Sequence, residues 1–309
     1  MNRYDTPVLL QRADPYILLA EDSYYYFTAT VPTFDRIELR RARSIEGLAA
    51  VQPEVIWRRH ESGPMSRYIW APEIHRIGNE WMIYFAAAEA EPDEHGVFDH
   101  RIFALSNQSD NPLEGHFEER GQINTGMESF SLDATTFTSG HQRYFVWAQR
   151  DYAIAGNSNL YIARMRSATE LELPAVMLSK PEYDWECQGF LVNEGPSILR
   201  HHGRLYLTYS GSATDERYAM GMLEADENAN LLDPTSWKKS PKPVMTTDEA
   251  RQIYGPGHNS FTRDAEGHDL MVFHARPYPG FHGSPLSDPN RNTYIRPIRY
   301  DADDRPVFE

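Results

Sequence analysis

A chain of 309 residues that is 40% hydrophobic and 24% charged carries enough apolar side chains for a packed core and is far from a disordered composition. Its net charge of −15 repels phosphate backbones, so no nucleic-acid partner is expected, and the basic run Arg40-Arg41-Ala42-Arg43 is too short to offset it. With Cys187 as the sole cysteine no intrachain disulfide can form, and without an apolar run of about 18 residues no membrane-spanning segment is expected.

In chain order, the first candidate element runs from Ala13-Asp14-Pro15-Tyr16-Ile17 to the aromatic stretch Tyr24–Phe27. The second runs from Trp70-Ala71-Pro72-Glu73-Ile74 to Trp81–Phe85, and the third from Leu132-Asp133-Ala134-Thr135 to Tyr144–Trp147. Glu194-Gly195-Pro196-Ser197-Ile198 leads to Leu205–Tyr209, and Gly257-His258-Asn259-Ser260-Phe261 leads to Leu270–Phe273. Aligned on Pro15, Pro72, Ala134, Pro196 and Asn259, the intervals are 57, 62, 62 and 63 residues. Turn residues at Gly78-Asn79, Ser139-Gly140, Gly203 and Glu266-Gly267 make each unit a hairpin, and further strands follow, such as Arg101–Leu105 and Asn159–Ala163. About sixty residues hold four short strands, which is one propeller blade. The expected fold is therefore all-β, a five-bladed propeller forming a single domain over residues 1–309. A two-sheet sandwich also spaces hairpins evenly, but it seldom repeats whole units.

The innermost strand of each blade runs along the central channel, so equivalent positions converge at one end of it. These are Asp14, Ala71, Asp133, Gly195 and His258, with Glu194 one step earlier in the fourth unit. Cleaving a glycosidic bond needs one group to protonate the leaving oxygen and another to activate water. A neighbouring carboxylate and partial burial keep the acid protonated near neutral pH. Spacing alone does not assign the roles. His201-His202 in a turn, and His95, His100 and His116 in polar loops, read as surface histidines without zinc-like spacing. Cys187 reads as a half-buried residue rather than a nucleophile.

Asp14-Pro15, Ser131-Leu132-Asp133-Ala134 and Asn193-Glu194-Gly195-Pro196 resemble the signature blocks of glycoside hydrolase family 43. Trp70-Ala71-Pro72-Glu73, Gly255–Ser260 and His274-Ala275-Arg276 resemble further blocks, in the family's order and over nearly the whole chain. The resemblance implies an inverting five-bladed enzyme acting on arabinose- or xylose-containing saccharides. It makes Asp14 the general base, Glu194 the general acid, and Asp133 the group that raises and orients Glu194. Inversion implies a separation of about 6.5–9.5 Å between the Asp14 and Glu194 carboxyls. Trp70 and Arg276 become sugar-binding candidates, and His258 resembles the histidine that in many members faces a channel ion, often calcium and largely through water, with a channel water as the alternative partner and no cofactor needed for the chemistry.

Residues 274–292 are similar to the matching stretch of exo-acting arabinofuranosidases on α-1,5 linkages. The expected substrate is thus an arabino-oligosaccharide trimmed from its end. β-Xylosidase and endo-arabinanase are the alternatives within the same chemistry, and a non-catalytic sugar-binding propeller lies outside it. The segment Met1-Asn2-Arg3-Tyr4-Asp5 lacks a leader's apolar stretch, which, with the single cysteine, gives a cytoplasmic expectation.

Overall fold

The computed structural model describes residues 5–94 and 96–308, so Met1–Tyr4, His95 and Glu309 lie outside the described residues. Four antiparallel sheets of four strands follow one another. They are β1 (Ala13–Leu19) to β4 (Glu54–Arg58), β5 (Arg67–Ile77) to β8 (Glu118–Gln122), β9 (Ser131–Ser139) to β12 (Val176–Ser179), and β13 (Asn193–His201) to β16 (Lys238–Lys239). The fifth sheet has three strands, β17 (Tyr254–Arg263), β18 (Asp269–Arg276) and β19 (Asn292–Pro297), and a small hairpin, β20 (Arg299–Tyr300) with β21 (Pro306–Val307), follows. The first strand of every sheet packs against the first strands of its neighbours, so β1, β5, β9, β13 and β17 surround one axis. This is a five-bladed β-propeller. The only α-helix among the described residues is the short turn Ile45–Ala50, whose N-terminus is capped by Ser44 accepting from the Gly47 N–H.

The second strand of each blade is a run of apolar residues because both its faces are buried. In β6 (Glu80–Ala88), Trp81, Ile83 and Phe85 pack on blade one, while Met82 and Tyr84 pack on blade three. In β10 (Gln142–Gln149), Tyr144 and Val146 face blade four, and Phe145 and Trp147 face blade two. Side chains alternate along a strand, so a continuous apolar run serves two seams at once. The core is accordingly five clusters, one per seam. Trp147, fully buried and donating to the Gln149 side chain over 2.8 Å, is the largest of these residues, and its replacement by Ala should cost about 3–5 kcal/mol.

The ring is closed between blades five and one. Leu9 bridges Thr293 antiparallel, with Val8 N–H donating to Thr293 O and Thr293 N–H to Leu9 O, each over 2.8 Å. The segment before β1 thus stands in as the missing outer strand of the fifth blade.

Candidate active site

Each innermost strand carries the same backbone feature at the aligned position. Asp14, Ala71, Asp133, Gly195 and His258 all have positive φ, between 42° and 57°, and the pairing with the second strand slips there in every blade. Four of the five are not glycine, and each costs of the order of 1–3 kcal/mol in that conformation. The slip frees a backbone N–H, which a side chain from the preceding blade takes up. Ala71 N–H donates to Thr30 Oγ1 (2.8 Å), Gly195 N–H to Asp133 Oδ2 (3.0 Å), His258 N–H to Ser210 Oγ (2.8 Å) and Asp14 N–H to His274 Nδ1 (3.0 Å). The blades are thereby stitched at the channel mouth. A side chain at Gly195 would press against the His258 ring and backbone at 3.1–3.2 Å, so glycine there lets Glu194 and His258 share the mouth.

The structure brings Asp14, Asp133, Glu194 and His258 to one cavity of about 480 Å³. Asp14 is buried, and Thr30 donates its hydroxyl to Oδ2 over 2.5 Å. Burial alone would raise the Asp14 pKa, but Arg291 at 3.4 Å and His258 at 3.3 Å reverse this and hold it far below the ordinary range. His274 Nδ1 lies 3.2 Å from the same carboxylate, yet it already accepts the Asp14 N–H, so its ring cannot also donate from that nitrogen. Arg291 and His258 therefore carry the effect. Glu194 is half-buried. Burial pushes its pKa up, the Tyr218 hydroxyl donating over 2.9 Å pulls it down, and the Asp14 charge pushes it up again, to about 7 overall. Asp133 is raised too, by burial first and then by Glu194 and Asp14. One carboxylate is thus held ionised and two retain protons, within one cavity.

Tyr218 and Arg291 complete this group, and the aligned blocks do not point to either. Tyr218 is buried, parallel to the His274 ring at 5.8 Å, and fits because Gly257 leaves room: a Cβ there would lie 2.4 Å from the Tyr218 ring. Trp70 lines the cavity and also belongs to an aromatic cluster, stacked on His100 at 4.0 Å and edge-on to Phe98 at 4.9 Å. Trp70 thus packs within the second blade and also forms part of the cavity wall. His100 corrects an expectation, since it is fully buried and donates from Nε2 to Tyr68 O, and burial lowers its pKa to about 3.

Arg276 is also corrected. It is buried outside the cavity wall, bonding the carbonyls of Thr214 (2.7 Å) and Pro285 (2.9 Å), and both of those residues line the cavity. It holds the wall in place while Arg291, fifteen residues on, is the arginine that faces the cavity. The long loop between them is tied down by Tyr278, whose hydroxyl lies 2.9 Å from the Asp288 carboxylate, so this aromatic packs the loop and Ser284, Pro285 and Leu286 form the wall. Cys187 is half-buried with a raised pKa, as burial and Glu186 dictate, so its thiol is not activated.

His258 does not gather a calcium donor set. Its Nδ1 faces Asp14 and Asp133 at 3.3 and 3.7 Å, and no cluster of three converging metal-ligand side chains among the described residues includes it. Calcium takes six to eight oxygens. The carboxylates at hand are those whose protonation states differ most, and the residues do not fit the ion.

The family model for glycosyl hydrolases family 43 matches residues 4–306. The chain belongs to glycosyl hydrolase family 43. It is a glycosidase, and the family match covers all five blades. It is 50% identical over 91% of its length to an extracellular exo-α-(1→5)-L-arabinofuranosidase of Streptomyces chartreusis, covering 85% of that protein. A protein of the same description from Streptomyces avermitilis is 46% identical over 99% of the chain, which spans 63% of that relative. Among solved structures, an α-L-arabinofuranosidase from Lactobacillus brevis superposes with a TM-score of 0.97 at 50% identity, covering 99% of this chain and 96% of that one. Two of these relatives are named extracellular, which overturns the cytoplasmic expectation. A single cysteine and a polar first few residues are no guide to compartment here.

Proposed function

We propose that the chain is an inverting exo-α-L-arabinofuranosidase that releases terminal arabinose from α-1,5-linked arabino-oligosaccharides. What supports this is two carboxylates in one cavity set in opposite directions, Asp14 held low beside Arg291 and His258 and Glu194 raised by burial and the Asp14 charge. In this reading Glu194 gives its proton to the leaving glycosidic oxygen as the bond to the anomeric carbon breaks. Water attacks that carbon from the other side and passes a proton to Asp14. Asp133 accepts from the N–H of Gly195, next to the acid, and so helps fix the backbone that carries Glu194. Trp70 supplies an apolar face for the ring, and Arg291 supplies hydrogen bonds to hydroxyls beside Asp14.

Exo action is supported by the cavity's walls, which come from every blade: Asp14 from the first, Trp70 and Phe98 from the second, Asp133 from the third, Glu194 from the fourth, His258 and Leu286 from the fifth. Walls drawn from all five blades around one channel mouth favour a chain end over the middle of a polymer. The α-1,5-arabinoside preference is supported by the names of the two Streptomyces relatives. Incubation with α-1,5-arabinotriose should give arabinose and arabinobiose first, with xylotriose untouched, and the arabinose should appear initially as the β anomer by proton NMR. Early larger oligomers from arabinan would indicate endo action, xylose would indicate a xylosidase, and an initial α anomer would exclude inversion.

A further inference from the structure

We propose that His201, His202 and Asp304 form a binding site for a divalent transition-metal ion of the zinc class, clipping the C-terminal hairpin to the fourth blade. The residues lie a hundred positions apart and are brought together by two turns. His202-Gly203 is the two-residue turn between β13 and β14 (Arg204–Gly211), with φ of 43° and 78°, the geometry of a type I′ hairpin. Asp304 sits in the turn of the β20–β21 hairpin, where the Asp301 carboxylate accepts the N–H groups of Asp303 and Arg305 over 2.9 and 3.0 Å.

Donor atoms from the three side chains all lie within 4.8 Å of one another. His201 Nε2 is 3.0 Å from Asp304 Oδ1, and His202 Nδ1 bonds the other oxygen of the same carboxylate. Two imidazole nitrogens and a carboxylate oxygen are a donor set suited to zinc, nickel or copper, and a water can fill the fourth position of a tetrahedral ion. The first ligand is held from behind. Tyr300 stacks on the His201 ring at 3.5 Å and 12°, and His201 Nδ1 faces Asp269 Oδ2 at 4.0 Å, the oxygen that also accepts the Tyr300 hydroxyl over 2.6 Å. The Asp269 carboxylate stands near the far nitrogen of His201, where a supporting carboxylate would sit once the ring draws closer, and the Tyr300 stack holds the ring plane. The outer face is open, since the His202 and Asp304 side chains are 74% and 50% exposed.

The site is remote from the active-site cavity. Glu194 and His201 stand seven residues apart along the same strand, roughly 23 Å at the usual rise. Metal binding should therefore leave hydrolysis unchanged while raising the melting temperature, because Phe308 beyond the hairpin packs into the seam between blades four and five. The other convergent trio, Asp264, Glu266 and His268, lies within a single turn and serves as the control.

The test is calorimetric titration of the metal-stripped full chain with zinc chloride, paired with cobalt(II) absorption to read coordination. The expected result is one ion bound with an affinity of the order of micromolar, weakened at least about tenfold by His202→Asn and by Asp304→Asn, both with unchanged hydrolysis. His268→Ala should leave binding intact. Absence of binding at about 100 μM zinc, undiminished binding by both variants, or loss of binding in His268→Ala would each overturn the proposal.

Discussion

The two sides of the active-site cavity treat a carboxylate in opposite ways. Around Asp14 burial is outweighed by a guanidinium and an imidazole, so the acid stays ionised. Around Glu194 burial is reinforced by the Asp14 charge, and around Asp133 by Glu194 and Asp14, so protons are retained. The lesson is that a cation set closest to one carboxylate, helped by an imidazole, splits chemically similar groups into a base and an acid, because the ionised group then biases the others. Arg291 is that cation.

Removing the base should have the largest effect. Asp14→Asn is expected to lower kcat on every arabinoside by about 10³-fold or more, measured with arabinobiose and with an aryl arabinoside, and substantial residual turnover would move the base elsewhere. Glu194→Gln should lower arabinobiose hydrolysis by about 10²–10⁴-fold while sparing an aryl arabinoside with a good leaving group. Equal loss on both substrates would remove Glu194 from the acid's role. Arg291→Met tests the split itself. Without the cation the Asp14 pKa rises, so the acid limb of the kcat/KM profile should move to higher pH by about one unit or more.

Stability should separate the two sides as well. The Glu194 pKa is raised from its ordinary 4.5 to about 7, so the folded state resists its ionisation and loses stability as pH climbs through that window. Glu194→Gln, which cannot ionise, should melt higher than the parent at pH 8, by roughly 5 °C, and level with it near pH 4. Asp14 has the opposite sign, since its lowered pKa stabilises the fold above the ordinary carboxylate range and Asp14→Asn should melt lower at pH 8. The smallest effect is expected for Tyr218→Phe. Loss of a donor to the carboxylate form raises the Glu194 pKa, so the alkaline limb should shift upward by a fraction of a pH unit.

The five units and the shared rim position were readable because a blade repeats its strand pattern and its slip leaves a mark, a polar or small residue before Pro15, Pro72, Ala134, Pro196 and Asn259. That mark is backbone geometry, which is why the position attracts Asp, Ala, Gly and His alike. Glu194 stands one step early because Gly195 occupies the left-handed position in that blade. What remained hidden was contact between blades and between strands. His274 reaches Asp14 from the fifth blade, while Thr30 reaches Asp14 and Tyr218, just before the third strand of blade four, reaches Glu194 across strands of one blade, at separations no local pattern encodes. Arg276 attracted attention through its neighbours His274 and Ala275, but the end of β18 turns it beneath the wall. His100, flanked by Asp99 and Arg101, looked solvent-facing, whereas it lies under Trp70.

The closure of the ring gives these residues a shared fate. Asp14 follows Leu9 by five positions and Arg291 precedes Thr293 by two, so the base and its counter-ion are mounted on the two ends of the same clasp. Prising that clasp apart, by heat or by pulling on the chain, separates the pair before the other seams need yield. Hydrolysis should therefore act as a fuse for the propeller, failing while most of the sheet signal is still intact.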